Sequence, residues 1–329
     1  MGPPNPSGKT SRYWKFGWFN PNALPPIGKM DYQPKEGMFR MFAEGTFRGE
    51  HQESFSSIKN KRKLSSFGRC VYCGRHDDAD GVPLKLTSEH IIPEYLGAGL
   101  ELPEASCSDC QTVTGEFERS LAEEMFDPIR KSYAFPGKDG VLKKTNFPLD
   151  VGFETTQHEF IPLIHYPTIL VMPHLFPASS YSTRPKNSDD PFNFRMYNIN
   201  ADLEQLKKYG IEKFSSQSVD LVRFSQMIAK IAHVYAMHYF KTESFTPTVA
   251  DFIRTNYPPA TPAHGHFENV GSLWQAKDRP STNLHEIEVG RITWGNETML
   301  AARVRLFACC EMSSYYVTIG KTAAASQVG

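Results

Sequence analysis

The chain has 329 residues, 36 basic and 36 acidic side chains, no net charge and 40 % hydrophobic residues. Such a length supports a real core and more than one domain, and a neutral total excludes a protein that holds polyanions by bulk charge alone. No apolar run approaches the roughly twenty residues needed to cross a bilayer, so no membrane association is expected.

Residues 1–12, rich in Pro, Gly, Ser and Asn, are expected to be disordered. The opening "MGPPNPSGKTSRYW" has no apolar segment resembling a secretory signal, so a cytoplasmic chain with reduced thiols is expected. Residues 13–66 carry many aromatics broken by Pro and Gly and read as an irregular or short-stranded segment that packs on something else. Its end is basic: Lys59, Lys61, Arg62, Lys63 and, just beyond it, Arg69 have no acid among them. Such a run is the local footprint of a phosphate-backbone contact, or else a solvated linker.

Residues 67–135 hold four of the six cysteines and a helical pattern with Phe117, Leu121 and Met125 on one face, and Pro128 as its end or kink. Residues 136–329 read as a larger α+β domain. "EFIPLIHYPTILVMPHL" is strand-rich with prolines that confine it to edges, and "STRPKNSDDPFNF" is a loop. The stretch "SVDLVRFSQMIAKIAHVYAMHYF" predicts a buried helix capped by Ser218, with His233 and His238 as core or boundary residues. "HEIEVGRITW", "MLAARVRLFAC" and "SSYYVTIG" predict an antiparallel meander, joined by "GNE" and by a turn containing Cys309 and Cys310 as buried small hydrophobes. Arg291, Arg303 and Arg305 form a candidate basic strip on two of these strands, and His264 and His266 fall in an ordinary loop.

The chemistry concentrates in "CVYCG", "EHIIPEYLGAG" and "SCSDCQ". Cys70 and Cys73 form one C-x-x-C pair, and Cys107 and Cys110 form another. Two such pairs close a tetrahedron of thiolates, which suits a structural zinc ion and leaves it no open position. That staple holds the intervening loop, where Glu89 and His90 are adjacent. On a strand their side chains face opposite ways, so one can hold a metal while the other takes a proton.

In this order, the two knuckles, the acid-His-Ile-Ile-Pro stretch and the glycine turn resemble the HNH endonucleases, the ββα-metal nucleases, in their zinc-stapled form. The resemblance covers roughly residues 68–120. It implies a small treble-clef-like module and a metal-dependent endonuclease that hydrolyses phosphodiester bonds in DNA, with RNA as the alternative substrate. It implies His90 as the general base, and Glu89 and Gln111 as ligands of a catalytic Mg2+ or Mn2+. Two positions depart from the family's pattern. Gln111 stands where Asn or His is usual, and the middle asparagine has no clear match in "LGAGLELPEASC", with Glu101, Glu104, Ser106 or a backbone carbonyl as its candidate substitutes. Glu116 and Glu118 are further candidates for ligands, or else exposed acids near a helix start. Restriction, phage defence and mobile-element biology all fit such an enzyme, and the C-terminal domain would select substrate, form a homo-oligomer or hold a partner protein. The competing expectation is a zinc-stapled nucleic-acid-binding or scaffold protein whose catalysis has lapsed.

Overall fold

The apolar helix near residue 230 is the element around which the chain packs. The computed structural model describes residues 14–19, 28–31, 42–55, 62–97, 99–133, 135, 146–151, 158–186, 192–212, 214–241, 245–259, 261–262, 265–274, 278–279 and 281–322. The segment expected to be disordered, residues 1–12, lies outside these, as do Lys59, Lys61 and His264.

In chain order, β1 (Trp14–Phe19), β2 (Gly28–Asp31) and β3 (Thr46–Phe55) come first. Then β4 (Arg62–Lys63), β5 (Thr87–His90) and β6 (Leu100–Ser106) form a small three-stranded sheet in the order β4-β6-β5. Helix α1 (Ser108–Ser120) follows directly. It widens into a π turn over Leu121–Met125, where the Phe126 N–H donates to the Leu121 carbonyl at 2.9 Å, and α2 (Asp127–Ser132) starts afresh. Pro128 in the first turn of α2 explains the break, since its ring cannot continue the ladder but suits a helix start.

Beyond it lie β7 (Asn146–Asp150), β8 (His158–Pro162), β9 (Ile169–Leu175), β10 (Phe192–Asn198), α3 (Leu203–Lys208) and β11 (Phe214–Val219). Then come α4 (Leu221–Tyr239), β12 (Phe245–Pro247), α5 (Ala250–Arg254) and β13 (Val270–Gly271). The chain ends in the meander β14 (His285–Trp294), β15 (Glu297–Leu306) and β16 (Ser314–Thr322). The largest sheet runs β12-β16-β15-β14-β3, with β13 also on β16, and its pairs are antiparallel. Pro173 sits on β9, which among the described residues is an edge strand paired with β10, where a residue lacking an N–H is tolerated.

The protein is therefore mixed α+β, with a large antiparallel sheet and few helices. Among the described residues no helix is long and apolar enough to cross a membrane. The first three strands, from the aromatic N-terminal segment, each pair with a strand of the later chain: β1 with β11, β2 with β10 and β3 with β14. The main core joins the cysteine segment to the later chain, because one buried cluster includes Cys70, Ile91 and Phe117 together with Met227, Val304 and Ile319. At Gly290 the β3–β14 register shifts, and a Cβ there would lie 2.0 Å from the Arg48 carbonyl oxygen, so only glycine fits.

Three expectations are corrected. Asp220, not Ser218, caps α4: its carboxylate accepts from the Arg223 N–H at 3.0 Å, while Ser218 belongs to β11. The arginines of the meander form no free basic strip, since acids on the neighbouring strands take them up. Arg291 meets Glu50 at 2.8 Å, Arg303 meets Glu288 at 3.0 Å, and the buried Arg305 meets Glu286 at 3.5 Å. Cys310 is buried but Cys309 is exposed, on a short 3-10 turn with Phe307 and Glu311 in left-handed conformation on either side.

Candidate metal centre and cavity

The four sulfurs of Cys70, Cys73, Cys107 and Cys110 lie within 4.8 Å of one another, close enough to bind a metal ion such as zinc. Local backbone makes this possible. After the first knuckle, Gly74 (φ 74°) turns the chain and donates to the Cys70 carbonyl at 2.8 Å. The Val71 N–H donates to the Ala105 carbonyl at 2.7 Å, which ties the first knuckle to β6. The second pair needs no loop of its own, since Cys107 is the N-cap of α1 and Cys110 lies in its first turn.

The four thiols differ in their hold on protons. The Cys110 thiol beside Cys70 holds Cys70 down at about 4 while Cys110 itself is pushed up, so the sulfurs share protons unequally. The Cys73 and Cys107 sulfurs are 3.8 Å apart, and a tetrahedral ion with bonds of about 2.3 Å to sulfur separates its ligands by about that distance. Arg75 supports the rim: its Nε lies 3.5 Å from the Cys73 sulfur, and its guanidinium pairs with Asp109 at 2.8 Å. Nothing in the spacing of the cysteines pointed to Arg75.

Beside this cluster, β5 runs antiparallel to β6, with Glu89 opposite Leu102 and His90 opposite Glu101. A cavity of about 720 Å³ opens where β5 meets the start of α1, and Glu89, His90, Gln111 and Glu118 are on its wall together with Arg119 and Arg130. Glu89, His90 and Gln111, expected to act together, are thus brought to one cavity. The side-chain oxygen Oε1 of Gln111 accepts from the Thr87 hydroxyl at 3.3 Å. Nδ1 of His90 is buried with no hydrogen-bond partner, which leaves Nε2 as the nitrogen that can meet water.

Glu89 is buried, and its Oε1 lies 2.7 Å from the ammonium of Lys230, which comes from the middle of α4. The same ammonium is 3.0 Å from Glu118 Oε1 and donates to the main-chain carbonyl of His90. Burial by itself would push the Lys230 ammonium down, but the two carboxylates outweigh it and the net shift is upward. Burial raises Glu118 above the usual carboxylate range, against the pull of Lys230. The Tyr72 hydroxyl next to Glu89 is raised well above its ordinary value, first by burial and then by the charge of Glu89. Lys230 did not stand out as a site residue in the sequence. Its signal was there nonetheless, as a lone cation in the apolar stripe "QMIAKIAHV", where a buried lysine requires acidic partners.

The remaining candidates lie elsewhere. Glu116 is not on the cavity wall, and it accepts from Asn256 at 3.0 Å and lies 3.6 Å from the Arg223 guanidinium. Glu101 pairs with Lys63 at 3.5 Å, and Glu104 accepts from the Ser66 hydroxyl. The Ser106 hydroxyl is buried without a partner. None of these three has a hydrogen bond to His90 among the described residues. Arg62 pairs with Glu53 at 2.5 Å, and Arg69 packs over the Phe67 ring. His266 stands edge-on to the Tyr257 ring.

Against known proteins, the chain matches no family model, no curated protein and no solved structure.

Proposed function

We propose that the chain is a metal-dependent HNH-type, or ββα-metal, endonuclease that hydrolyses phosphodiester bonds in DNA. The observation that carries this reading is the convergence of Glu89, His90 and Gln111 on one cavity beside the four-cysteine cluster. In it the cysteines hold a structural zinc ion that closes the module formed by the two knuckles, β5, β6 and α1. Nε2 of His90 takes the proton from an attacking water, and Arg119 and Arg130 offer guanidinium groups to phosphate on a wall that also carries Glu89, Glu94, Glu118 and Glu123. Glu89 and the carbonyl oxygen of Gln111 are the protein ligands for Mg2+ or Mn2+, which supplies charge to the developing oxyanion and leaving oxygen. The donor set suits a hard cation, since both are oxygens and two ligands leave positions for phosphate and water. Arg62, Lys63 and Arg69 lie on exposed surface and would meet the nucleic-acid backbone, since ion pairs on exposed surface are weak enough to exchange.

The test is nicking of supercoiled plasmid by the purified zinc-loaded protein with Mg2+ or Mn2+. His90→Ala should abolish nicking and leave the zinc content unchanged. A lapsed nucleic-acid-binding module is the second reading, favoured by the hold of Lys230 on Glu89 and by the partnerless Nδ1 of His90. It prevails if wild type and His90→Ala bind DNA alike and neither cuts.

A further inference from the structure

We propose that Lys230 sets the affinity of this cavity for divalent cations, by keeping a fixed positive charge on the carboxylate of Glu89. The inference rests on Glu89 as the cation ligand proposed above, and adds a residue some 140 positions later in the chain.

Lys230 has no solvent exposure and sits on α4 between the apolar side chains of Met227, Ile231 and Val234, all buried. Its side chain has no contact with solvent. Four oxygens surround it: Glu89 Oε1 at 2.7 Å, Glu118 Oε1 at 3.0 Å, the His90 carbonyl, and the Ile91 carbonyl at 3.5 Å. Three of the four belong to β5 or the residue after it, so the ammonium also pins the strand that carries His90.

The charges decide the consequence. With both carboxylates ionised the trio carries a net charge of −1, and without the ammonium it would carry −2. A divalent cation that binds Glu89 must approach within a few ångströms of this ammonium, and in a partly desolvated site that repulsion is poorly screened. Lys230 cannot move aside, because its stem is packed in the core. The cavity therefore binds a divalent cation more weakly than its carboxylates alone would, and a phosphodiester must supply the remaining ligands.

Mn2+ alone is the probe, titrated by calorimetry into the zinc-loaded full-length protein without nucleic acid. Glu118→Gln is the reference, and Lys230→Met is added to it, so that the doubly substituted protein keeps the wild-type net charge at the trio. The double variant should bind Mn2+ at least tenfold more tightly than Glu118→Gln, and a further Glu89→Gln should cancel the gain. Should the methionine variant lose its fold or its zinc, Lys230→Gln replaces it in the same background, since it keeps an N–H donor for the strand carbonyls. Equal or weaker binding, a gain that survives Glu89→Gln, or no Mn2+ binding by any variant would overturn the proposal. Plasmid nicking is read separately: tighter Mn2+ binding without nicking by wild type leaves the role of Lys230 standing and removes the endonuclease reading.

Discussion

Acid should loosen α4 from the cysteine module, and His233 gives the magnitude. Its ring is fully buried, with Nε2 2.9 Å from the Val71 carbonyl oxygen, so the neutral ring donates there. Burial pushes its pKa down to about 4. In the unfolded chain histidine titrates near 6.5, so between those values the unfolded state binds a proton that the folded state refuses. Stability must then fall as the pH drops through 6.5, with the loss complete below about 4. A pKa depressed that far corresponds to about 3 kcal/mol in all, of which about 2 kcal/mol falls between pH 7 and pH 5. The assay is urea unfolding of the zinc-loaded protein at both pH values, for wild type and His233→Gln. The glutamine amide can still donate to Val71 but does not titrate. Protonation of the cysteines acts on both proteins and drops out of the comparison. His233→Gln should lose about 2 kcal/mol less than wild type on acidification, and equal losses would refute the reasoning.

Two further outcomes test the frame around the site. Cys107→Ser should remove about one zinc per chain by elemental analysis, and hydrogen exchange over residues 70–110 should rise, because a bound ion's affinity is folding free energy in such a module. Gly290→Ala should lower the stability to urea by about 1–3 kcal/mol, since the added Cβ meets main-chain atoms of Arg48 and Gly49 that cannot move aside as a side chain would. An unchanged urea midpoint would mean that the bulge relaxes.

What could be read from the sequence follows the range of the interactions involved. The paired cysteines, the helix break at Pro128, the buried helix α4 and the three-stranded meander each depend on spacing within a few tens of residues, and these are visible as patterns. The partners of the N-terminal strands were not visible. β3 meets β14 more than 200 residues later, and nothing in "TFRGEHQESF" names its partner. The same limit explains the arginines of the meander. Arg303 and Arg305 look like a basic strip until β14 places Glu286 and Glu288 against them. The cap of α4 failed for a local reason. Both Ser218 and Asp220 suit an N-cap, and the strand β11 claims the first.

The cysteine module is usually thought of as a small body that a metal alone holds together, yet here the later chain grips it through three buried polar side chains. His233 donates to the carbonyl of Val71 inside the first knuckle, and His285 reaches the Leu96 carbonyl at 2.8 Å just after the Ile-Ile-Pro stretch. Lys230 holds Glu89 and the main chain of His90 between them. Without the module Lys230 and the Nε2–H groups of His233 and His285 would lose their acceptors, and the module would lose its anchors without them. Neither part can therefore present the Glu89–His90 pair alone, and the geometry of the cavity depends on residues some 140 positions apart in the chain.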